Sequence, residues 1–346
     1  MTESRANTNF HSATATSVFD GKAEDARFRE YRRRWHENPA TFTAGDFPIH
    51  LDLESTSYCN LRCPFCAATH DTWGGGRKGY LELALYRRLI DEGAEHGLCS
   101  VKLSLRGEPL LHRDLVEMVR YAKQRGVLDI YFNTNGLLLT PEISRQLIAA
   151  GLDRISVSIE GTTREEYERY RVGSDFDRVR ENLRALRELR ERAGSRFPAI
   201  RVQTVLLPEL QAGFPDYVRY WRELADEVSY LDARRETARD YHCQPGREPA
   251  PVAAAGWACP FLWQRMMVLW DGTVFPCLMH GVRNFSGMTL GNARHQRLAD
   301  LWRGEQFTRY RELHRSGRGH ELPACAECSY RAMEIEKLTA KSSGSY

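Results

Sequence analysis

The chain has 346 residues, 42% of them hydrophobic and 27% charged, and its formal net charge is only +3. This length and composition predict a soluble globular protein with one large α/β domain and a smaller appendage. The weak net charge excludes a strong field for nucleic acid or membrane surfaces, and no apolar stretch is long enough to span a membrane. The N-terminus lacks the layout of a signal peptide, so the expected location is cytoplasmic. In that compartment clustered cysteines are more often metal ligands than disulfides.

After an N-terminal arm with the composition of a disordered segment and a helix within residues 24–45, apolar segments alternate with amphipathic ones. Strands are predicted at 49–56, 100–105, 128–136, 154–161, 199–207 and 227–234, and helices at 81–97, 112–126, 140–151, 163–193 and 214–226. Thr140 is the expected N-cap of one helix, with Pro141 in its first turn and Gly151 at its end. The alternation predicts a parallel sheet, either an open partial barrel or a doubly wound sheet. In both, ligands bind at the carboxyl ends of the strands.

The pattern breaks after the sixth strand, where a long loop rich in Pro, Gly and Ala begins. We divide the chain into an N-terminal arm and helix (1–46), a core (47–234), a linker loop (235–258), a cysteine-bearing domain (259–335) and a tail (336–346).

A first group of cysteines, Cys59, Cys63 and Cys66, follows the first strand directly. Thiolates bind iron–sulfur clusters, and three ligands would leave one iron of a four-iron cluster open to a substrate or cofactor. The alternative is a zinc site completed by His70.

A second group of four cysteines could saturate another cluster or form a structural zinc site; its members are Cys259, Cys277, Cys325 and Cys328. The remaining two thiols differ in their surroundings. Cys99 leads into an apolar strand and is expected to be an inert core residue, whereas Cys243 lies in the polar loop after the sixth strand.

The segment "CNLRCPFC" resembles the signature of the radical S-adenosylmethionine (SAM) superfamily, Cys-x3-Cys-x-aromatic-Cys. Three later segments agree in order with that family: "RGEP" (106–109), in which Arg106 stands where the family has Gly, "NTNG" (133–136) and "SIEG" (158–161). The resemblance implies that the first three cysteines hold a [4Fe-4S] cluster whose open iron binds SAM. It also implies SAM contacts from Phe65, Gly107, Glu108, Asn133, Asn135, Ser158 and Glu160.

The four C-terminal cysteines resemble the twitch or shortened SPASM extension of the same superfamily, which holds one auxiliary [4Fe-4S] cluster. The resemblance therefore implies a partial (β/α)6 TIM-like barrel with a small C-terminal iron–sulfur domain, two [4Fe-4S] clusters and SAM. It also implies an electron donor such as flavodoxin or ferredoxin.

Radical SAM proteins of this size resemble enzymes that dehydrogenate or epimerise alcohol carbons in aminocyclitol and aminoglycoside antibiotic biosynthesis, and others that modify ribosomal peptides. No peptide-clasp domain precedes the core, so we favour a small polyhydroxylated substrate. The candidate substrate contacts are Arg171, Asp232, Arg234, Asp240 and His242. Return of a hydrogen atom from Cys243 would give an epimer, the preferred outcome. Loss of a proton and an electron, with the auxiliary cluster as acceptor, would give a ketone.

Overall fold

The computed structural model describes residues 10–66, 69, 77–232, 257–277, 288–326, 328 and 330–335. Its strands are β1 (Phe10–Ser12), β2 (His50–Leu53), β3 (Ser100–Lys102), β4 (Asp129–Thr134), β5 (Arg154–Ser158), β6 (Ala199–Leu206), β7 (Glu227–Asp232), β8 (Arg265–Val268), β9 (Thr273–Phe275) and β10 (Gly291–Asn292). Its α-helices span Ala26–Ala40, Leu83–Glu95, Leu115–Gln124, Pro141–Ala150, Arg164–Tyr170, Phe176–Arg192, Phe214–Trp221, Phe261–Gln264, Leu298–Arg303, Glu305–Arg315, Pro323–Ala326 and 330–335.

The six strands from β2 to β7 are parallel and pair with one another in chain order. This order is that of a partial barrel, so the first of the two predicted architectures is confirmed and the doubly wound sheet is not formed. The carboxyl ends of these strands form one rim, because parallel neighbours end on the same side.

The sheet extends beyond the six predicted strands at both edges. β8, from the C-terminal domain, pairs in parallel with β2 and continues through β9 and β10 in antiparallel order. At the other edge β1 pairs antiparallel with β7. The expectation that the N-terminal arm is disordered is therefore wrong for Phe10–Ser12, because the edge of β7 offers backbone partners that composition does not reveal.

The two faces of the barrel sheet differ sharply in polarity. Alternate strand residues, among them Leu51, Val101, Ile130, Ile155 and Val202, belong to the same buried apolar cluster as the covering helices. Successive side chains of a strand point to opposite faces, so the residues between them line the inside of the barrel. That inner wall is mostly polar and charged; it includes His50, Asp52, Ser100, Lys102, Asp129, Tyr131, Asn133, Arg154, Ser156, Ser158, Arg201, Gln203, Glu227, Ser229 and Arg265.

The helix Ala26–Ala40 closes the end of the barrel opposite the rim. It begins at Asp25, whose carboxylate accepts the backbone N–H groups of the first turn. Its Trp35 lies edge-on to His50, with ring centroids 5.5 Å apart, and 4.8 Å from the Arg265 guanidinium. The interior of the barrel is therefore reached from the rim.

Candidate functional site

The loop that follows β2 carries Cys59, Cys63 and Cys66 and turns tightly on itself. The Cys66 N–H donates to the Cys63 carbonyl at 3.0 Å, and the Leu61 N–H donates to Cys59 Sγ at 3.5 Å. Phe65 is buried beside Cys63 in an apolar cluster that the other two thiols border. Burial raises the pKa of the Cys63 thiol to about 11 and also raises that of Cys59. Bound cluster irons would offset this effect, since a coordinating thiol is deprotonated.

The "RGEP" turn is fastened to the start of this loop. The Glu108 N–H donates to the Tyr58 carbonyl at 2.8 Å. A Cβ atom on Gly107 would lie 2.4 Å from the carbonyl oxygens of Thr56 and Tyr58, so only glycine fits. The two segments thus approach each other backbone to backbone, which explains the glycine in the motif.

The Glu108 carboxylate is fully buried and anchors the next rim segment. It accepts hydrogen bonds from Thr134 Oγ1 at 2.7 Å, the Asn135 N–H at 2.8 Å and the Leu110 N–H at 3.1 Å. Burial raises its pKa, whereas these hydrogen bonds act in the opposite direction. Asn135 Nδ2 in turn donates to Asn60 Oδ1 at 2.8 Å, which joins "NTNG" to the cysteine loop. The rim motifs found in the sequence therefore form one connected structure.

Arg171 and Glu160 lie together under the cysteine loop. Arg171 makes a two-point ion pair with the Glu160 carboxylate, its guanidinium lies 5.3 Å from the Phe65 ring centre, and Nη1 is 3.9 Å from Cys63 Sγ. Both side chains are largely buried. The SAM contact expected of Glu160 and the substrate contact expected of Arg171 stay predictions; the observed pair fixes the position of Cys63 and Phe65.

Asn133 and Ser158 lie at the ends of β4 and β5, on the inner face of the rim. The backbone N–H of Asn133 receives support from Ser104, whose Oγ accepts at 2.9 Å. Their side chains are partly exposed, as a contact to a bound molecule requires. The roles in SAM binding expected of these two residues stay predictions.

Arg106, the departure from the family pattern, has a defined partner. It makes a two-point ion pair with Glu54, and both side chains are buried. The Trp270 N–H of the C-terminal domain also donates to Glu54 Oε2 at 3.3 Å. The Trp270 ring covers Gly79, where a Cβ would approach it to 2.3 Å. The pair thus connects the rim to the β8–β9 hairpin.

The four C-terminal cysteines line one small pocket. Trp257, Phe261 and Tyr330 complete an apolar wall around them. Burial, followed by the neighbouring thiols, raises the pKa values of Cys259 and Cys325 well above the ordinary range. Four thiols around an apolar cavity suit an iron–sulfur cluster, and the three on the rim loop suit one with an open iron.

His314 borders this cavity and was not anticipated from the sequence, because no spacing links it to the cysteines. Its Nδ1 accepts the Cys259 N–H at 3.3 Å, and its Nε2 lies 3.4 Å from Cys325 Sγ. Burial, aided by Arg331, lowers the pKa of His314 to about 4, so the ring is neutral. With Nδ1 accepting, the proton sits on Nε2, and Nε2–H donates to the Cys325 sulfur.

Several sequence-predicted residues lie outside the described part of the chain. They are Cys243, Arg234, Asp240, His242 and His70, together with the side chain of Asp232 at the end of β7. Cys99, expected to be inert, is buried in the apolar cluster of the closing helix. Within the described ranges, no group of three or more His, Cys, Asp or Glu side chains is arranged to hold a single metal ion, and no helix could cross a membrane.

The geometry defines a partial barrel with thiol ligands at its rim and a second thiol-lined cavity in a C-terminal domain. The model of the radical SAM superfamily matches residues 53–209, and that of the iron–sulfur cluster-binding SPASM domain matches residues 259–329. The chain is therefore a radical SAM enzyme with a C-terminal SPASM domain.

A relative from Pyrococcus furiosus, a tungsten-containing aldehyde ferredoxin oxidoreductase cofactor-modifying protein, is 26% identical over 84% of this chain and 90% of its own length. A probable GTP 3',8-cyclase from Saccharolobus islandicus is 38% identical, but over only 39% of this chain and 42% of the cyclase.

Two solved structures illustrate the likeness in fold. BtrN in complex with AdoMet and 2-DOIA has a TM-score of 0.54 at 18% identity, covering 82% of this chain and 94% of BtrN. SuiB of Streptococcus suis bound to S-adenosylmethionine has a TM-score of 0.54 at 15% identity, covering 90% of this chain and 78% of SuiB. These identities are low, so the likeness concerns the fold alone.

Proposed function

We propose that this enzyme removes a hydrogen atom from a carbinol carbon of a sugar or aminocyclitol in natural-product biosynthesis, and that the preferred outcome is epimerisation. The observation that carries the proposal is the polar inner wall of the barrel, which is closed at one end by the helix Ala26–Ala40. Hydroxyl and amide groups line this wall, among them Ser104, Asn133, Ser156, Ser158 and Gln203. A small polyhydroxylated molecule would replace water at these groups, whereas an apolar substrate would leave them unpaired.

Cys59, Cys63 and Cys66 would hold the SAM-binding [4Fe-4S] cluster, and the four thiols of the C-terminal cavity would hold the auxiliary one. When bound, the reduced cluster and SAM supply a 5'-deoxyadenosyl radical able to take a hydrogen atom from an unactivated carbon. The chain's residues orient both partners and exclude water. Gly107 permits the close backbone approach, and the Arg171–Glu160 pair fixes the cysteine loop.

Cys243 is the proposed hydrogen-atom donor for epimerisation. Its S–H bond breaks and a new C–H bond forms on the opposite face of the substrate carbon, which leaves a thiyl radical on Cys243. One electron from a flavodoxin or ferredoxin and one proton from water restore the thiol. Cys243 follows β7 in the sequence, and β7 ends at the rim, which supports this role.

Dehydrogenation is the second candidate, and the fourfold thiol lining of the C-terminal cavity favours it. A fully ligated auxiliary cluster suits electron transfer better than substrate binding. The substrate radical would then lose one proton to a base and one electron to that cluster, giving a ketone. A substrate peptide, the third alternative, would be recognised by an extended backbone along a sheet edge rather than inside the barrel.

The experiment compares Cys243→Ala with wild type in deuterated water, using reconstituted enzyme, SAM and a panel of sugars and aminocyclitols. An epimerase places one solvent deuterium in the product, and the variant should form 5'-deoxyadenosine without epimer. Cys99→Ala is the matched control, because Cys99 is a buried thiol below the barrel. Full epimerisation by Cys243→Ala would overturn the role of Cys243, and a ketone from wild type would favour dehydrogenation.

A further inference from the structure

Almost all charged side chains on the inner wall, and on the turn above it, form ion pairs with one another. Each carboxylate has an arginine partner: Asp52 with Arg265 at 3.3 Å, Asp129 with Arg154 at 2.7 Å, Glu227 with Arg201 at 2.9 Å, and Glu54 with Arg106. Within the described ranges, Lys102 is the lysine or arginine of this wall that belongs to none of these pairs.

Lys102 lies in the middle of the wall. It is in register with Asp52 on β2 and Tyr131 on β4. Its ammonium makes no hydrogen bond or ion pair with the part of the chain that the structure describes. By contrast, Lys22 and Lys123 both pair with Asp153.

The residue type adds to the argument. The chain has 49 basic residues, of which only six are lysines, at positions 22, 78, 102, 123, 337 and 341. Arginine serves in all four pairs of the wall, where its planar fork suits a carboxylate. A lysine at the unpaired position offers a compact charge that can meet an anion from several directions.

An unpaired ammonium inside a protein is costly, because burial removes water that its charge requires. Burial indeed lowers the pKa of Lys102, and nearby Asp52 opposes this effect. The side chain is nevertheless partly exposed. The closing helix covers the opposite end of the barrel, and from this we infer that the exposed part of Lys102 faces the rim. A bound anion would remove the cost by pairing with the ammonium.

We propose that Lys102 binds an anionic group of the substrate, a phosphate or a carboxylate, which enters the barrel from the rim. The inference deepens the proposed function and rests on it: the sugar or cyclitol would carry an acidic substituent. Lys102 lies one inward-facing position below Ser104, about 7 Å deeper along the strand. The substrate would then place its acidic group deep in the barrel and its hydroxylated carbons near the rim.

The first test needs no variant and uses inorganic phosphate and acetate as probes. The reconstituted holoenzyme with SAM is treated anaerobically with an amine-acylating reagent, and the extent of labelling of each lysine is measured by mass spectrometry. We expect at least one probe to slow labelling of Lys102 about tenfold or more, the loss that a charge-assisted contact would produce. Lys123 is the internal control, because its pair with Asp153 lies outside the barrel. Protection of Lys102 by neither probe would overturn the proposal.

The second test separates the substrate from SAM, whose own carboxylate is the rival anion. Dissociation constants for SAM are measured for wild type, Lys102→Met and Lys102→Arg, with cluster content as a check on folding. We expect the dissociation constant for SAM to change less than about twofold in both variants. The dissociation constant for phosphate, measured alongside, should stay similar in Lys102→Arg and rise about tenfold or more in Lys102→Met. A tenfold loss of SAM affinity in Lys102→Met would overturn the proposal, since the anion would then belong to SAM.

The third test separates this inference from the proposed function. Glucose and myo-inositol are compared with their phosphate and carboxylate derivatives as promoters of 5'-deoxyadenosine formation. Acidic derivatives should have a lower KM in wild type, and Lys102→Met should remove this advantage. Equal KM values for neutral and acidic compounds would refute the role of Lys102 while leaving the proposed function intact. Anion protection of Lys102 with no activity toward any sugar or cyclitol would refute the proposed function while leaving the anion site intact.

Discussion

Replacing Glu54 by Gln should strongly destabilise the protein, because it removes the carboxylate that makes a two-point ion pair with the buried Arg106 guanidinium. The side chains of Arg106 and Glu54 are 6% and 0% exposed, so neither charge can be compensated by water. Removing one partner of a buried ion pair costs about 3–5 kcal/mol. The Trp270 N–H loses an ionised acceptor in the same change, which weakens the contact between the rim and the β8–β9 hairpin.

The assay is denaturant unfolding under anaerobic conditions, with Glu30→Gln as the matched control. Glu30 pairs with Arg33 on the surface, where both side chains are more than half exposed, so its loss should cost far less than the loss of Glu54. The double variant Glu54→Gln, Arg106→Met should recover much of the loss, because the buried guanidinium that has lost its Glu54 partner is removed as well. The reasoning is refuted if Glu54→Gln is no less stable than Glu30→Gln. It is also refuted if the loss of stability in the double variant equals the sum of the losses in Glu54→Gln and in Arg106→Met measured alone.

Three further predictions follow from the site. Gly107→Ala should lower the free energy of unfolding by about 1–3 kcal/mol and weaken SAM binding, because the added Cβ would collide with two carbonyl oxygens. Gly213 has open space around it, so Gly213→Ala should change neither the free energy of unfolding nor the dissociation constant for SAM. His314→Leu should lower the midpoint potential of the auxiliary cluster relative to wild type, because an N–H donor to a ligating sulfur favours the reduced cluster. His314→Gln keeps a donor, so its midpoint potential should lie between those of His314→Leu and wild type in a redox titration followed by electron paramagnetic resonance. Equal midpoint potentials in all three proteins would contradict the hydrogen bond from His314 to Cys325. Lys102→Met should raise the free energy of unfolding by about 0.5–2 kcal/mol, because a largely buried charge is removed. The folded-state pKa of Lys102 is lowered, so the unfolded chain binds more protons below pH 10.5, and the free energy of unfolding of the wild type should rise as the pH approaches 10.5. The variant should lack this rise.

Local patterns in the sequence were sufficient to predict the strand-and-helix alternation. Thr140 caps its helix through its side chain, and Gly151 ends it with φ near 83°, as expected from residue type alone. Such features depend on neighbours within one turn, so sequence reveals them directly. The choice between a partial barrel and a doubly wound sheet was different, because it depends on strand order in space.

The sequence by itself determined the three-cysteine loop, the order of the rim motifs and the four later cysteines, since spacing within a short segment limits what the thiols can bind. Only the tertiary structure decided which charges pair. Arg265 meets Asp52 across 213 positions of sequence, and that contact exists because β8 joins the barrel beside β2. The same is true of His314 beside Cys325 and of the unpaired Lys102. Hydrogen bonds and ion pairs between distant segments depend on how strands and helices are arranged in space, and no local pattern records that arrangement.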